Sequence, residues 1–454
     1  MKILQVVHSL PFLTQAGTEI YAYELSLRLA GKHEVYLFSR KSDIRQEEYL
    51  VTDKKHNQVS ICLLNNTFRE CTSFEYYYAN KKIDIQFALF LDKVKPDIVH
   101  IHHLIFLSVG MIQEINKRKI PVVFTLHDYW LMCPGWHLLK KDCRPCTKAQ
   151  YGKFDEECII CLNDLLAVKK TAKRTYLIIR SITPKFLSDY LRRKYFQFIP
   201  RMPGDNAALI RLEERRHKIR GLLDRIDMFI VPSRYARDRF MEFGISQRRM
   251  RILSSGVDAG LFEVTDKIPS RKLRFGFIGT LLPAKGIHVL LEAFHKVKGE
   301  AELKIYGKLK QYIGFEYYLP YLKRIAKDKR IRFMGEFKHA ESQKIFKELD
   351  VLAVPSIWNE NAPLVIQEAF ASKTPVIASR IGGIPELVSD GVDGILFQPG
   401  DIEGLYHKMQ LLVSQPDIID KLKRNISQVK NISDHAKEIE EIYSGLLTAK
   451  SYLS

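Results

Sequence analysis

The feature that most constrains the fold of this chain is an alternation of short apolar runs with helix-period segments. In the first half these runs are rich in Val, Ile and Leu, and they comprise Ile3–Val7, Val35–Phe38, Ile61–Leu64, Ile98–His102, Val122–Leu126 and Met228–Val231. Helical patterns such as Glu19–Ala30 separate them. Continuous apolar strands alternating with helices are typical of a parallel sheet covered on both faces. The first half is therefore predicted to be a doubly wound α/β domain.

The same alternation starts again after Phe262. The second series comprises Arg274–Ile278, Leu303–Tyr306, Ile331–Met334, Val351–Val354, Pro375–Ala378 and Gly394–Phe397. A length of 454 residues suits two large domains, since a domain takes roughly 150 residues or more. We expect Rossmann-like domains at 1–265 and 271–432, a linker around 264–271, and a C-terminal helix at 433–454 packing back toward the first domain. Because ligands lie beyond the carboxyl ends of such strands, two facing sheets would enclose a cleft.

Composition places the chain among globular proteins, with 46% hydrophobic and 27% charged residues. The start, MKILQVVHSL, is interpreted as a buried strand and not as a signal peptide. No apolar stretch reaches the roughly 20 residues that span a bilayer. Five of the seven cysteines fall between Cys133 and Cys161, which is unlike a secreted disulfide framework. These features together predict a cytoplasmic protein.

The formal charge of +19 implies an anionic partner, which a membrane surface, a phosphorylated substrate or nucleic acid would supply. The segment 163–225 holds sixteen Lys or Arg against six Asp or Glu, so about half of the excess charge lies there. Its apolar and basic residues are interleaved, as in a helix lying on a membrane. An insertion with a solvated basic face explains the same pattern equally well. Peripheral attachment to the inner membrane face is therefore one expectation.

The segment that follows Val354 has the character of a ligand-binding loop and helix start. It reads PSIWNENAPLVIQEAFASKTPVIASRIGGIPELVSDGVDGILFQPGD, with a helix expected from near Pro363 and Asn361 as its cap. Unpaired backbone N–H groups at such a helix start can receive an anionic or hydroxyl-rich ligand. Glu360 would lie at the mouth and Glu368 inside the helix. Taken alone, the two carboxylates could equally be a helix-entry charge and an exposed side chain.

The spacing Glu360, seven residues, Glu368, followed by Gly382-Gly383-Ile384-Pro385-Glu386, resembles retaining glycosyltransferases of family 4. The resemblance implies the GT-B architecture, with two Rossmann-like domains facing across a cleft. It also implies that Glu368 hydrogen-bonds the ribose of a nucleotide-sugar donor, and that Glu360 binds the donor sugar. The backbone residues implied to contact the same sugar are Asn361, Ala362, Pro363 and Leu364.

A second segment, FGFIGTLLPAKGIHVLLEAF, places Gly279 after a strand and Lys285 at a helix start. A glycine lets the backbone approach a diphosphate, and a lysine adds positive charge where the leaving group becomes negative. The resemblance makes Lys285 a pyrophosphate ligand, while Thr280 stands where the family often has an Arg. Gly307 and Phe333 resemble family positions beside the nucleotide base.

On the first domain, the loop from His8 to Glu19 is similar to the family's glycine-rich loop. Gly17 matches it, whereas Ala16 replaces the commoner first glycine. His127 follows a buried strand, and the resemblance assigns it to the donor sugar near its C6 hydroxyl. The implied chemistry is glycosyl transfer with retention, resting on positioning and charge stabilisation. Because no Asp-x-Asp motif occurs, a catalytic divalent metal is not indicated.

Two Cys-x-x-Cys pairs, Cys143 with Cys146 and Cys158 with Cys161, predict a metal site. Four converging thiolates suit a structural zinc ion, which would leave no open position for catalysis. An iron–sulfur cluster is an alternative, with Cys133 and His137 as further candidate ligands. Reduced thiols or a single disulfide would also account for the pattern.

The sequence therefore predicts an enzyme that moves a sugar from a UDP- or GDP-linked donor to a saccharide or lipid-linked saccharide in surface-polysaccharide synthesis. A sugar-nucleotide epimerase of the same fold is one alternative. A basic zinc-containing protein that binds nucleic acid is another. Nucleic-acid binding is disfavoured because it leaves the pattern from Glu360 to Glu386 unexplained.

Overall fold

The computed structural model describes residues 1–140, 142–166, 206–262, 267–309, 315 and 317–451. Within these residues the first domain is built on a sheet of order β3-β4-β2-β1-β5-β6-β7-β8. Its strands are β1 (Lys2–Val7), β2 (Glu34–Lys41), β3 (Val51–His56), β4 (Val59–Asn65), β5 (Ile98–Ile101), β6 (Val122–Thr125), β7 (Met228–Val231) and β8 (Met250–Ile252). Neighbouring strands are parallel except β3 and β4, which are antiparallel.

The second sheet has the order β11-β10-β9-β12-β13-β14, and its neighbouring strands are parallel. Its strands are β9 (Leu273–Ile278), β10 (Ala301–Tyr306), β11 (Ile331–Gly335), β12 (Val351–Val354), β13 (Val376–Ser379) and β14 (Gly394–Phe397). This order is that of a Rossmann sheet, and the first sheet adds edge strands to the same order. The prediction of two doubly wound parallel-sheet domains is confirmed.

Helices cover both sheets and complete the layers. They are Gly17–Leu29, Lys81–Val94, Met111–Lys117, Glu156–Leu166, Asn206–Leu223, Arg234–Glu242, Ala259–Phe262, Ile287–Lys296, Tyr318–Ile325, Ser342–Lys347, Leu364–Ala371, Ile384–Leu387, Ile402–Ser414, Asp417–Asn425 and Ile432–Ser451. Along β1, Leu4 and Val6 pack into one core cluster while Ile3 and Val7 pack into another on the opposite face. Burial on both faces explains why such strands form continuous apolar runs.

The chain crosses between the domains twice, and the two crossings lie side by side. Val257 N donates to Lys430 O at 3.1 Å, and Ile432 N donates to Val257 O at 2.9 Å. The helix that follows, Ile432–Ser451, packs on the first domain, where Tyr443 is fully buried in the same cluster as the first strand. The two domains are therefore joined by a double connection.

The predicted basic insertion at 163–225 is described only in part. Its segment 167–205 lies outside the described residues, as does 263–266 of the predicted linker. No helix in the described part of the chain is long and apolar enough to cross a membrane.

Candidate active site

The site lies where the two sheets reverse their strand order. The reversals fall between β1 and β5 in the first domain and between β9 and β12 in the second, and ligands of such sheets bind beyond the strand ends at these points. The two regions meet, since Asn361 Nδ2 donates to Leu126 O of the other domain at 3.2 Å. Trp358 is buried in the core cluster of the first domain, and Leu364 packs against clusters of both. Loops of both domains thus form one cleft.

An ion pair occupies the second domain's side of this cleft. Lys285 Nζ lies 2.6 Å from Glu360 Oε1, and the Ser356 hydroxyl donates to the same oxygen at 2.6 Å. The ammonium also lies 5.2 Å from the centre of the Trp358 ring. The Glu360 side chain is 5% exposed and that of Lys285 is 28% exposed. The two residues that the sequence placed at the donor separately are therefore direct partners, and only Lys285 reaches solvent appreciably.

Close backbone packing builds the turn that carries this lysine. Gly286 has a φ of 66°, and a Cβ there would lie 1.7 Å from Pro355 O. A Cβ on Gly307 would lie 2.2 Å from Gly279 O. Phe333, on the next strand β11, is half-buried against the domain core. The predicted positions Gly279, Thr280, Gly307 and Phe333 thus follow or lie on the adjacent strands β9, β10 and β11.

The expected helix after the Glu360 loop is present as Leu364–Ala371, but Asn361 does not cap it. The capping position is Pro363, which offers no side-chain hydrogen bond. Asn361 instead reaches across to the first domain, as described above. The prediction of an Asn361 cap was wrong because this side chain finds a partner that is distant in sequence.

Glu368 is buried inside that helix and is paired. Its Oε1 lies 3.0 Å from His339 Nε2, and the residue is 7% exposed. Burial alone lowers the pKa of His339, but the Glu368 carboxylate, with Glu24 and Asp258 further off, raises it overall above its ordinary value. Glu368 is therefore not an exposed helical carboxylate. Its carboxylate can accept hydrogen bonds from a ligand.

The Gly382-Gly383 turn holds the Glu360 loop in place. Gly383 N donates to Glu360 O at 2.7 Å, and a Cβ on Gly383 would lie 1.9 Å from Asn361 O. Glu386 accepts hydrogen bonds from the backbone N–H groups of Arg234 and Tyr235, each at 2.8 Å. Its carboxylate thus meets the N-terminus of the helix Arg234–Glu242, where negative charge is favourable. This motif links the Glu360 loop to the opposite domain.

His127 lies on the first domain's wall at the end of β6. Its Nε2 is 3.3 Å from His102 Nδ1, and its ring centre is 4.9 Å from that of Tyr21. Burial, together with the nearby His103, lowers the pKa of His127 to about 3. The ring is therefore neutral near pH 7, so it offers hydrogen bonds and no positive charge to the cleft.

Gly17 starts the helix Gly17–Leu29 and lies close to the second domain's side of the cleft. A Cβ on Gly17 would lie 3.7 Å from Leu364 Cδ1. Ala16, at the capping position, has a φ of −148°, which is extended backbone open to any residue. The replacement of the usual glycine by Ala16 therefore places no strain on this loop.

Two further pairs of a histidine and a carboxylate lie at the cleft, and the sequence did not predict that these residues are partners. His103 Nε2 lies 3.0 Å from Asp128 Oδ2, and although burial raises the pKa of Asp128, His103 and the Trp130 N–H lower it overall. His8 Nε2 lies 3.1 Å from Glu19 Oε1. The adjacency of β5 and β6 brings His103 and Asp128 together, whereas Glu19 lies on the helix Gly17–Leu29 and its pairing with His8 has no signal in strand order.

Some of the buried polar atoms without a hydrogen-bond partner in the described residues lie at the cleft. They include His8 Nδ1, Glu19 Oε2, Tyr129 Oη, Trp358 Nε1 and Asn361 Oδ1. An unsatisfied buried polar group costs about 1–3 kcal/mol. A hydroxyl-rich ligand entering between the domains would provide partners for such atoms, which is the hydrogen-bonding character of a saccharide site.

Cys146 lies within electrostatic range of Cys133 and Cys158, but Cys143 does not join them. Cys158 and Cys161 lie one turn apart on the helix Glu156–Leu166, whereas Cys143 packs against the core of the second domain. None of the described cysteines forms a disulfide, and no group of three potential ligands is present in the described residues. The four predicted ligands, as placed, do not fit a tetrahedral site. The zinc ion stays a prediction.

Sequence comparisons match both domains to glycosyltransferase families. Residues 16–161 match "Glycosyltransferase Family 4", and residues 272–415 match "Glycosyl transferases group 1". The two matches together span well over half of the chain. The chain belongs to glycosyltransferase family 4. In this family 4 glycosyltransferase the matched ranges contain His127, Lys285, Glu360 and Glu368.

Curated relatives support the family assignment. D-inositol 3-phosphate glycosyltransferase from Corynebacterium glutamicum is 30% identical over 210 residues, which cover 42% of this chain and 50% of the relative. An uncharacterized 42.6 kDa protein in the cps region of Klebsiella pneumoniae is 25% identical over 313 residues, covering 68% and 64%. The chain spans about half the length of the first of the curated relatives that it matches.

Solved structures share the architecture. Sucrose-phosphate synthase from Thermosynechococcus elongatus has a TM-score of 0.68 at 17% identity, and the match covers 99% of both chains. Anabaena HepE in complex with UDP and glucose has a TM-score of 0.63 at 16% identity, covering 98% of this chain and 99% of the other. The fold is therefore GT-B, as the sequence predicted.

Proposed function

We propose that the chain is a retaining glycosyltransferase that moves a sugar from a UDP- or GDP-linked donor to a saccharide or lipid-linked saccharide. The observation that carries the proposal is the Lys285–Glu360 pair at the strand ends of the second domain. A cation beside a buried carboxylate suits a ligand with a diphosphate next to a polyhydroxylated ring. The relatives named as glycosyltransferases and the HepE complex with UDP and glucose support a nucleotide-sugar donor.

In this proposal the donor lies along the second domain. Lys285 turns from Glu360 to the diphosphate, so the carboxylate is freed to accept hydrogen bonds from sugar hydroxyls. Glu368 accepts from the ribose, while the strand ends at Gly279 and Gly307 allow the backbone to approach the nucleotide closely. Backbone from Asn361 to Leu364 closes the sugar subsite.

The reaction breaks the bond between the anomeric carbon and the diphosphate oxygen, and the electron pair leaves with the phosphate. The acceptor hydroxyl attacks from the face that the diphosphate leaves, and its proton passes to the departing phosphate. Lys285 stabilises the developing negative charge. His127, as a neutral ring, positions the donor sugar by hydrogen bonding.

The acceptor side rests on the first domain. Its cleft wall offers the Asp128 carboxylate and His8 Nδ1, which has no partner in the described residues, as groups that accept hydrogen bonds from hydroxyl groups. A lipid-linked acceptor at an anionic inner membrane face, within surface-polysaccharide synthesis, is suggested by the charge excess in 163–225. Sedimentation with vesicles of anionic and of neutral lipids tests this attachment, and equal binding to both would contradict it.

The test is donor turnover by the full chain with a panel of UDP-, GDP- and ADP-sugars. Released nucleoside diphosphate and the anomer of the released sugar are measured, with water as acceptor where no saccharide is used. We expect one nucleotide class to be consumed with retention. Glu360→Gln abolishes turnover, while Glu403→Gln, at an exposed carboxylate on the helix Ile402–Ser414, leaves it unchanged.

Each unexpected outcome of the donor assay rejects a different part of the proposal. Absence of binding and turnover with every donor rejects the proposal. Inversion at the anomeric carbon rejects the retaining mechanism, and an epimerised donor without diphosphate release favours the epimerase. Full activity in Glu360→Gln rejects the role of Glu360.

A further inference from the structure

A continuous chain of buried polar side chains links the C-terminal helix to His127. From the C-terminal helix to His127, the side chains in order of contact are His435, Tyr21, Thr125, His100, Tyr443, Gln5 and His102. All seven are at most 3% exposed. Burial lowers the pKa values of His100 and His102 well below the ordinary value, and that of His435 to about 4. Each of these rings is therefore neutral and carries a single N–H. The position of that hydrogen is set by the partners of the ring.

The orientation of the chain is set by the Gln5 amide, whose Nε2 faces Tyr443 and whose Oε1 faces His102. The surroundings of His435 agree with it. The Nδ1 of His435 makes no hydrogen bond to a described residue, and Glu438 Oε2 lies 3.9 Å from it. A hydrogen on Nδ1 is attracted by this carboxylate, which favours the tautomer of His435 with a bare Nε2. The hydroxyl of Tyr21, 2.5 Å from Nε2, must then donate to it.

The same direction continues through the next two side chains. Tyr21 donates its hydrogen to His435, so its oxygen accepts a hydrogen bond from Thr125. Burial raises the pKa of Tyr21 overall, and the hydrogen bond from Thr125 offsets part of that rise. Thr125 Oγ1 lies 2.7 Å from His100 Nε2 and accepts from it. His100 therefore holds its hydrogen on Nε2, and its Nδ1 accepts from the Tyr443 hydroxyl at 2.6 Å.

Gln5 carries the direction to the cleft. Tyr443 has donated to His100, so its oxygen accepts from Gln5 Nε2 at 3.1 Å. The amide oxygen of Gln5 is then the acceptor that lies 2.6 Å from His102 Nε2. His102 thus presents a bare Nδ1 to His127 Nε2 at 3.3 Å, and that nitrogen of His127 must donate.

We propose that Gln5 and Tyr443 are positioning residues that hold His127 in the tautomer with hydrogen on Nε2, leaving Nδ1 bare. With the Gln5 amide oriented in this way, no two donors and no two acceptors face each other from His435 to His127. Tyr443 lies on the helix Ile432–Ser451, which follows the second crossing between the domains. The C-terminal helix therefore completes the orientation of a residue at the cleft.

The consequence for catalysis rests on the proposed function. A ring with a bare Nδ1 offers an acceptor to a sugar hydroxyl, whereas the opposite tautomer would offer a donor there. A wrong tautomer leaves the binding geometry intact and lowers the rate of the chemical step. The effect of losing the chain is therefore expected in kcat more than in KM.

The test reads the tautomer directly, by 15N NMR of the histidine rings in the full chain without ligand. His127 signals are assigned by their loss in His127→Asn. We expect His127, His102 and His100 to be protonated on Nε2. In Tyr443→Phe and in the near-isosteric Gln5→Met, we expect a second His127 form with hydrogen on Nδ1. The control Tyr36→Phe removes a surface hydroxyl that donates to Glu34, and it leaves the spectrum of His127 unchanged.

Turnover of the donor is then compared in the same proteins. We expect kcat to fall at least severalfold in Tyr443→Phe and Gln5→Met, with the donor KM within twofold and with Tyr36→Phe like the wild type. Hydrogen on Nδ1 of wild-type His127, or an unchanged His127 tautomer in both relay variants, overturns the inference. A wild type with the expected tautomer but no turnover of any donor would reject the proposed function and keep the relay.

Discussion

Replacing Lys285 by methionine tests how the donor site is built. The substitution keeps the length of the side chain and removes the ammonium that lies 2.6 Å from Glu360. A hydrogen bond to a charged group contributes about 1.5–3 kcal/mol, so the affinity for UDP or GDP should fall by roughly 10- to 150-fold. Isothermal titration calorimetry with the nucleoside diphosphate alone measures this loss without any need for turnover.

The same substitution has a cost in stability. Glu360 is left buried and unpaired apart from Ser356, and breaking a buried ion pair costs about 3–5 kcal/mol. The double variant Lys285→Met with Glu360→Gln removes the stranded charge, so we expect it to recover much of the free energy of unfolding. Its affinity for the diphosphate stays low because the cation is still absent.

Lys296→Met is the matched control, since Lys296 forms an exposed ion pair with Glu403. Exposed pairs contribute at most about 1 kcal/mol, so both affinity and stability should be close to those of the wild type. A nucleoside diphosphate affinity within twofold of the wild type in Lys285→Met would refute the assignment of Lys285.

Two further predictions concern the architecture around the site. Gly286→Ala should destabilise the protein by more than about 2 kcal/mol, because its φ is positive and the new Cβ meets Pro355 O, whereas Gly445→Ala, in open space on a helix, should be neutral or stabilising in urea unfolding. The pKa of His339 is raised in the folded state by Glu368, so its contribution is complete below the ordinary pKa and is lost as pH rises through the folded value. His339→Asn should therefore lower stability more at about pH 5.5 than at about pH 9, and an equal or reversed difference would contradict this assignment.

The buried strands could be predicted from the sequence because they carry an intrinsic signal. Runs such as Val351–Val354 are apolar throughout, since helices cover both faces of the sheet. Val51–His56 and Met250–Ile252 were missed. The first is polar and largely exposed, and it exists by antiparallel pairing with β4, while the second is a three-residue edge strand. Strands held by pairing alone leave little trace in hydrophobicity.

The candidate site divides in the same way. Glu360 and Lys285 could be located from local motifs, but their pairing depends on the adjacency of β9 and β12. The pair of His103 with Asp128 arises from the order of strands, which local sequence does not encode. Cys143 was predicted as a metal ligand from its spacing alone, and its contact with the core of the second domain had no signal in that spacing.

We propose that the nucleotide-sugar donor binds at the strand-order reversal of the second domain. A crystal structure of the protein with bound UDP or GDP tests it most directly. We expect the diphosphate to lie within hydrogen-bond distance of Lys285 Nζ and the ribose hydroxyls to donate to Glu368. A nucleotide bound instead at the reversal between β1 and β5 of the first domain would contradict it.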